Sequence, residues 1–510
     1  MAKTFDTPEK VVKRESTGVY RYVPARYLFI MLSFFGFVLA YAYKVVLSVA
    51  IVSMVGHTDT DSQTKSSDTC FVSTGNATQT PGATTPAPGE FSDWDSDTQA
   101  VILGAFFYGY VVTQLPAGVL AERYGGKWLF GGAIVTAAVL SLMGPVAARL
   151  GYTAFIATRI GQGLAEGAMF PCMNAMLSRW MPKMERSRGT TMIYTGAPMG
   201  TVITLPLAGV LCDSNFLGGW PSVFYVLGVA GCLWFVLWAL LIHETPEAHP
   251  YISQEEYDYI VADQPRDRSQ TKRMTPWREI LTSVPVYALI ITHFGQNWGF
   301  LTILTLLPTY FEKVLNLNIK SNGLMSSLPY LLQAVIAWTA SFISDNLRQR
   351  GTIRINVIRK TNNTIAFIGP AVCLAAVALA RCNTTLSIAL FVLGMGLNGC
   401  NYPGFNSTHV DMAPNYAGTL MGLTNSIGNI PGFVAPMVAA AFYDDGQTLT
   451  NWSYVFYISS AVYIVTSIVY VLFASAELQS WGVSTTPETI HLNDTKTNNN
   501  VVYTVDCIVE

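Results

Sequence analysis

Apolar stretches about twenty residues long recur through this chain, and each is long enough to cross the roughly 30 Å hydrocarbon layer of a bilayer as one helix. They lie at 26–55, 97–120, 128–148, 153–178, 189–211, 220–242, 284–310, 321–345, 361–380, 386–407, 417–442 and 453–475. A backbone without water must satisfy its own N–H and C=O groups, so twelve such stretches specify an all-α membrane protein with twelve transmembrane helices. The longest inner polar break, 243–283, divides them into two pseudo-symmetric halves of six, 26–242 and 284–475. Only 12% of the residues are charged, against about 25% in soluble chains.

The positive-inside rule sets the topology. Of the 30 Lys and Arg, five (Lys65, Arg149, Lys313, Lys320, Arg381) fall in outer loops and two (Lys44, Arg159) within spans, leaving the remainder inside. This reading makes the 1–25 tail, the central loop and the 476–510 tail cytosolic. The run after residue 25 is too long for a cleavable signal. The Ser/Thr/Gly/Pro-rich segment 56–94 becomes an outer loop, and the sequons at Asn76, Asn383 and Asn451 become glycosylation candidates. Cys70 and Cys212 also fall outside, where a disulfide between them is an option.

A net charge of −2 gives no reason to expect nucleic acid, no Cys/His spacing suggests zinc, and HExxH, Walker and GxSxG motifs are absent. No enzyme, metal or cofactor is expected; the partners are the lipid bilayer and small ions, and the chain is expected to be monomeric.

Charge at membrane depth costs several kcal/mol by insertion scales of about 2.5–3.5 kcal/mol per residue, so Arg159 and Glu166 need an explanation. Helical spacing puts Arg159, Gln162 and Glu166 on one face two turns long, while Gly161, Gly163, Gly167 and Ala168 let a neighbouring helix approach. A buried structural pair and a polar transport path both fit. Lys44, in the first span, needs Glu166 or a bound anion as partner. Tyr108, Tyr110, Gln296, Asn297, Asn398, Asn401, Asn425 and Asn429 can complete a cavity or form interhelical hydrogen bonds. Pro198, Pro206, Pro403, Pro431 and Pro436 mark helix breaks. The loops GVLAERYGGK and SFISDNLRQR repeat one pattern after the second and eighth spans, which implies internal duplication. Glu122, Arg123, Asp345 and Arg348 are expected to latch the inner side of the half-bundles.

Twelve spans with this repeated loop resemble the major facilitator superfamily. More narrowly, WDSDTQAVILGAFFYGYVVTQLPAG, the stretch 159–188, SSLPYLLQAV and NSTHVDMAPNYAGTLMGLTNSIGNIPG resemble its anion:cation symporter family over roughly residues 20–482. That family includes sodium/phosphate cotransporters, lysosomal sialic acid exporters and vesicular glutamate transporters. The last group carries His where Leu103 stands and Arg where Gln296 stands, so the other two are the nearer match.

The resemblance implies alternating-access symport of a small anion, inorganic phosphate or an organic carboxylate, with a coupling cation, sodium or proton. A proton-coupled carrier of acidic sugars or glutamate in lysosomes or vesicles is the alternative, and a non-transporting receptor on the same fold is a third reading. By resemblance Lys44, Arg159, Tyr108 and Tyr194 bind substrate and Glu166 couples; Asn297 joins them as a cavity group. Lys44 replaces an Arg and loses its bidentate fork. Asn174 replaces a His of many members at the binding face, which favours sodium as the driving ion. Without a dileucine or Tyr-based sorting signal in either tail, the plasma membrane is favoured.

Overall fold

The computed structural model describes residues 20–482 apart from 21, 56–89, 92, 95, 263–274, 316–318 and 444–447. Asn76, Cys70 and most of both tails and of the outer loop 56–94 lie outside the described residues. Twelve rods form the bundle. Those of the first half are α1 (Ala25–Val55), α2 (Ser96–Tyr124), α3 (Lys127–Leu150), α4 (Tyr152–Glu166 continued by Met169–Trp180), α5 (Arg186–Tyr194 continued by Gly196–Asp213) and α6 (Pro221–Leu241). The second half comprises α7 (Val284–Lys313), α8 (Ile319–Gln349), α9 (Ile355–Ala380), α10 (Thr384–Asn398 continued by Ser407–Met412), α11 (Ala417–Gly428 continued by Pro431–Tyr443) and α12 (Leu449–Phe473). Nine stretches of these rods are long and apolar enough to cross a membrane, among the described residues.

Close backbone approach holds α2 against α4. A Cβ on Gly163 would lie 2.0 Å from the Phe106 carbonyl oxygen, and one on Gly109 2.2 Å from that of Ile160. The tight α2–α3 connection uses Gly125 at φ 101°, a left-handed backbone that suits glycine.

Of the expected proline breaks, those beside Pro198, Pro403 and Pro431 interrupt helices, whereas Pro206 and Pro436 sit inside continuous ones. Missing N–H groups are common to all five. At Pro403 the chain leaves helical geometry, with Gly404 at ψ −118° inside a π-turn over Tyr402–Asn406.

The central loop carries a short helix, Gln254–Ala262, which the sequence reading treats only as part of a polar break. Its Glu256 accepts from the backbone N–H groups of Ala25 and Arg26, tying the start of α1 to this loop. Cys212 is a free thiol, so the Cys70–Cys212 bridge is not formed. Cys382, in the α9–α10 loop, is disulfide-bonded.

Candidate substrate site and inner gate

The α2–α4 glycine contacts bring the polar face of α4 against α1 and α2. Arg159 Nη1 donates to the Tyr43 carbonyl (3.0 Å) and to Gln162 Oε1 (2.7 Å), and Gln162 passes the contact on to the Ala137 carbonyl of α3 (3.3 Å). Arginine is thus fixed by neutral acceptors. The Lys44 ammonium sits over four aromatic rings, 4.6 Å from the Tyr110 centroid, 4.8 Å from Phe107, 5.3 Å from Tyr41 and 5.4 Å from Phe106. Such cation–π contacts offset part of its desolvation.

Glu166 ends the first half of α4. Neither Lys44 nor Arg159 forms an ion pair with it among the described residues, and Oε1 is buried without a hydrogen-bond partner. The permanent Lys44–Glu166 or Arg159–Glu166 pair that the sequence allows is therefore not made in this conformation. Lys44 and Glu166 instead line one cavity of about 10 Å³ with Phe37, Ala40, Tyr41, Tyr110, Met169 and Phe170. That volume admits one water and no larger anion.

Other predicted site residues stand further off. Asn174 Nδ2 donates to the Tyr194 hydroxyl, and the Tyr194 ring packs 5.1 Å from Phe37 and from Phe170, behind the cavity wall. Tyr108 is 54% exposed and lies against Phe433 rather than at the cavity. Tyr110 is there instead, because two residues rotate a helix by about 200°. Asn297, half-buried on α7, is not among the lining residues.

The inner side is closed by contacts between the halves. Glu122 accepts from the Thr419 N–H and hydroxyl, both at 2.6 Å, at the start of α11. Asp345 accepts from the Arg188 N–H at 2.8 Å, Thr191 meets Ser341 at 2.5 Å, and Trp338 donates to Thr195 at 2.8 Å. Gly118 meets Gly418 so closely that a Cβ there would lie 2.3 Å from the Gly418 oxygen. The carboxylates of the repeated loops thus reach across to the opposite half, where the sequence expects a latch within each half. Arg348 stays in its own half and donates to Asp411 (3.3 Å); Arg123 is exposed and enters none of these contacts.

Sequence reasoning missed the gate's centre. Asp411 receives Arg186 (3.1 Å) from α5 and Arg359 (2.7 and 2.9 Å) from α9 as well as Arg348. Glu244, after α6, accepts from the N–H groups of Gly126 and Lys127 and from Arg179. The partners of both are distant in sequence, so no local pattern raises either. Gln296 and Asn398 exchange two amide hydrogen bonds (2.8 and 2.9 Å) and Gln333 joins them (3.0 Å), which realises the interhelical alternative for that pair.

Two six-helix halves joined by contacts across one end, with a small cavity in the first half that holds Lys44 and Glu166, make the arrangement of a membrane transporter. A family model described as Major Facilitator Superfamily matches residues 32–436, and the chain belongs to that superfamily. It is 40% identical to human sialin over 90% of this chain and 91% of sialin, and 37% identical to vesicular glutamate transporter 1 of Bos taurus over 90% of this chain and 78% of that protein. These relatives place it in the anion:cation symporter family. A proton:xylose symporter of known structure shares the fold, with a TM-score of 0.62 at 14% identity over 89% of this chain and 97% of that one.

Proposed function

We propose that this multi-pass membrane protein moves a small anion, inorganic phosphate or an organic carboxylate, together with a cation, by rocking its two halves about the Lys44–Glu166 cavity. One observation carries the reading. Arg159 and Glu166 are buried beside the half-buried Lys44 without an ion pair, and a carboxyl oxygen left without a partner at this depth is costly. A passing anion and its coupling cation would provide the missing partners. Lys44 and Arg159 bind the anion, and Glu166 answers the coupling cation.

Glutamate and acidic sugars belong to the same chemical class as the proposed cargo, and the name of one relative specifies glutamate.

The test is flux into proteoliposomes holding the purified chain, with inorganic phosphate, L-glutamate and N-acetylneuraminate offered singly. At least one is expected to exchange, and Arg159→Lys is expected to cut that exchange about a hundredfold, since its carbonyl and Gln162 contacts need the guanidinium fork. Exchange of none of the three by the unmodified protein would refute the transport reading. We place the protein at the plasma membrane, because neither tail offers a sorting signal; surface biotinylation that finds only an intracellular pool overturns this placement.

A further inference from the structure

The second half contains a buried titratable pair that the cavity does not use. His293 on α7 and His409 on the second segment of α10 are 5% and 0% exposed, with ring centroids 6.0 Å apart. Between them lies the Thr424 hydroxyl of α11, 3.1 Å from His293 Nδ1 and 2.9 Å from His409 Nε2. His409 Nδ1 lies 3.2 Å from the Asn406 carbonyl.

These neighbours dictate the protons. A carbonyl only accepts, so His409 Nδ1 carries hydrogen, and in the neutral ring Nε2 is then bare and accepts the Thr424 proton. The Thr424 oxygen is left to accept from His293 Nδ1–H. The hydrogen bonds therefore all point one way, from His293 through Thr424 to His409 and Asn406. Next to Thr424 on α11, Asn425 Oδ1 accepts from Asn429 Nδ2 at 2.7 Å, and Asn425 Nδ2 is buried without a hydrogen-bond partner. The chain of groups ends on the helix segment that carries Asp411 at the inner gate.

We propose that His293, Thr424 and His409 form a binding site for one exchangeable proton, and that this site, in the half opposite Lys44 and Arg159, couples proton movement to anion transport. The proposal rests on the transport reading above. A proton arriving at His293 Nε2 lets the Nδ1–H bond break as a bond to the Thr424 oxygen forms; the threonine O–H breaks in turn as hydrogen binds His409 Nε2. One proton is gained, charge moves from the first ring to the second, and nothing is oxidised or reduced. A second proton is opposed, because two charged rings would direct two donors at one hydroxyl whose own hydrogen has only the Met421 carbonyl at 3.4 Å.

Tyr470 from α12 lies one residue along, at Thr408 (2.7 Å), and the Phe405 ring packs against both imidazoles. Asp411, two residues along from His409, is already taken by three arginines. Sodium is favoured by sequence because Asn174 removes one histidine from the binding face; this pair supplies titratable groups elsewhere and removes the ground for that preference.

Thr424→Val keeps the shape and deletes the hydroxyl, and Thr424→Ser restores it. Each variant is reconstituted as the full chain and given inorganic phosphate, L-glutamate and N-acetylneuraminate singly. Anion exchange at equal pH is measured beside accumulation driven by a pH gradient, with proton entry followed by a trapped fluorescent indicator. The expected result for Thr424→Val is exchange within about twofold of the unmodified protein, with gradient-driven accumulation and proton entry down about tenfold or more; Thr424→Ser recovers both. Equal loss of exchange and accumulation in Thr424→Val would mean that Thr424 only packs, and overturns the proposal. So does an unmodified protein that accumulates anion on a sodium gradient without proton entry, an outcome that leaves the transport reading standing. No exchange at all by the unmodified protein removes the transport reading and the relay with it.

Discussion

Glu122→Gln is expected to open the inner gate. Its carboxylate takes two charge-assisted hydrogen bonds at 2.6 Å from Thr419, at the first turn of α11. Free N–H groups and the helix dipole make that end favourable for an anion. The amide can keep both contacts, its oxygen on the N–H and its NH₂ on the reoriented hydroxyl, so what disappears is the charge. A charge-assisted bond contributes about 2 kcal/mol against about 1 kcal/mol for a neutral one, which makes the loss about 2 kcal/mol over the pair.

Glu122 and Thr419 belong to opposite halves and must separate when the inner side opens. The whole of that loss therefore enters the closed-to-open equilibrium, a shift of about thirtyfold. Ser341, 1% exposed and bonded across the halves to Thr191, reports it. In inside-out vesicles, the labelling rate of Ser341→Cys by an impermeant maleimide is compared with and without Glu122→Gln, after subtracting labelling of the parent's own cysteines. A rise of about thirtyfold is expected. A change below about twofold would show that the Thr419 contact does not hold the gate.

Two further outcomes follow from the edges of the first half. Glu244→Ala removes the acceptor for the Gly126 and Lys127 N–H groups at the start of α3 and the partner of Arg179, and is expected to cost about 2–3 kcal/mol, seen as a melting temperature several degrees lower in detergent; an unchanged melting curve would contradict the capping role. On the outer side, the Arg149 hydrogen bond, helped by Trp220, holds the Glu90 carboxyl below its ordinary range, so its small stabilising effect is present above the unfolded carboxyl pKa of about 4.3 and is lost as pH falls through the lower folded value. The melting difference between the unmodified chain and Glu90→Gln should accordingly shrink below about pH 4, and a difference that instead grows on acidification would reverse that assignment.

Length and hydropathy determine much of this protein because the bilayer allows few alternatives. Twelve apolar stretches, the Lys/Arg asymmetry and the repeated inner-loop motif are local properties, and among the described residues nine stretches are long and apolar enough to span on their own. The one-face arrangement of Arg159, Gln162 and Glu166 was equally legible, since helical period alone puts Gln162 within 2.7 Å of Arg159.

Partner choice was not. Sequence offered Glu166 as the partner of Lys44, yet the aromatic rings of α1 and α2 surround the ammonium, and which rings converge there depends on how Gly109 and Gly163 let α2 meet α4. Proline positions marked possible breaks without saying which would bend, because the carbonyl a proline frees is tolerated wherever neighbouring helices or side chains supply a donor. Nothing in the local sequence joins His293 to His409. Their 116-residue separation hides a shared hydroxyl on a third helix, and only the packing of α7, α10 and α11 brings the three within hydrogen-bond reach.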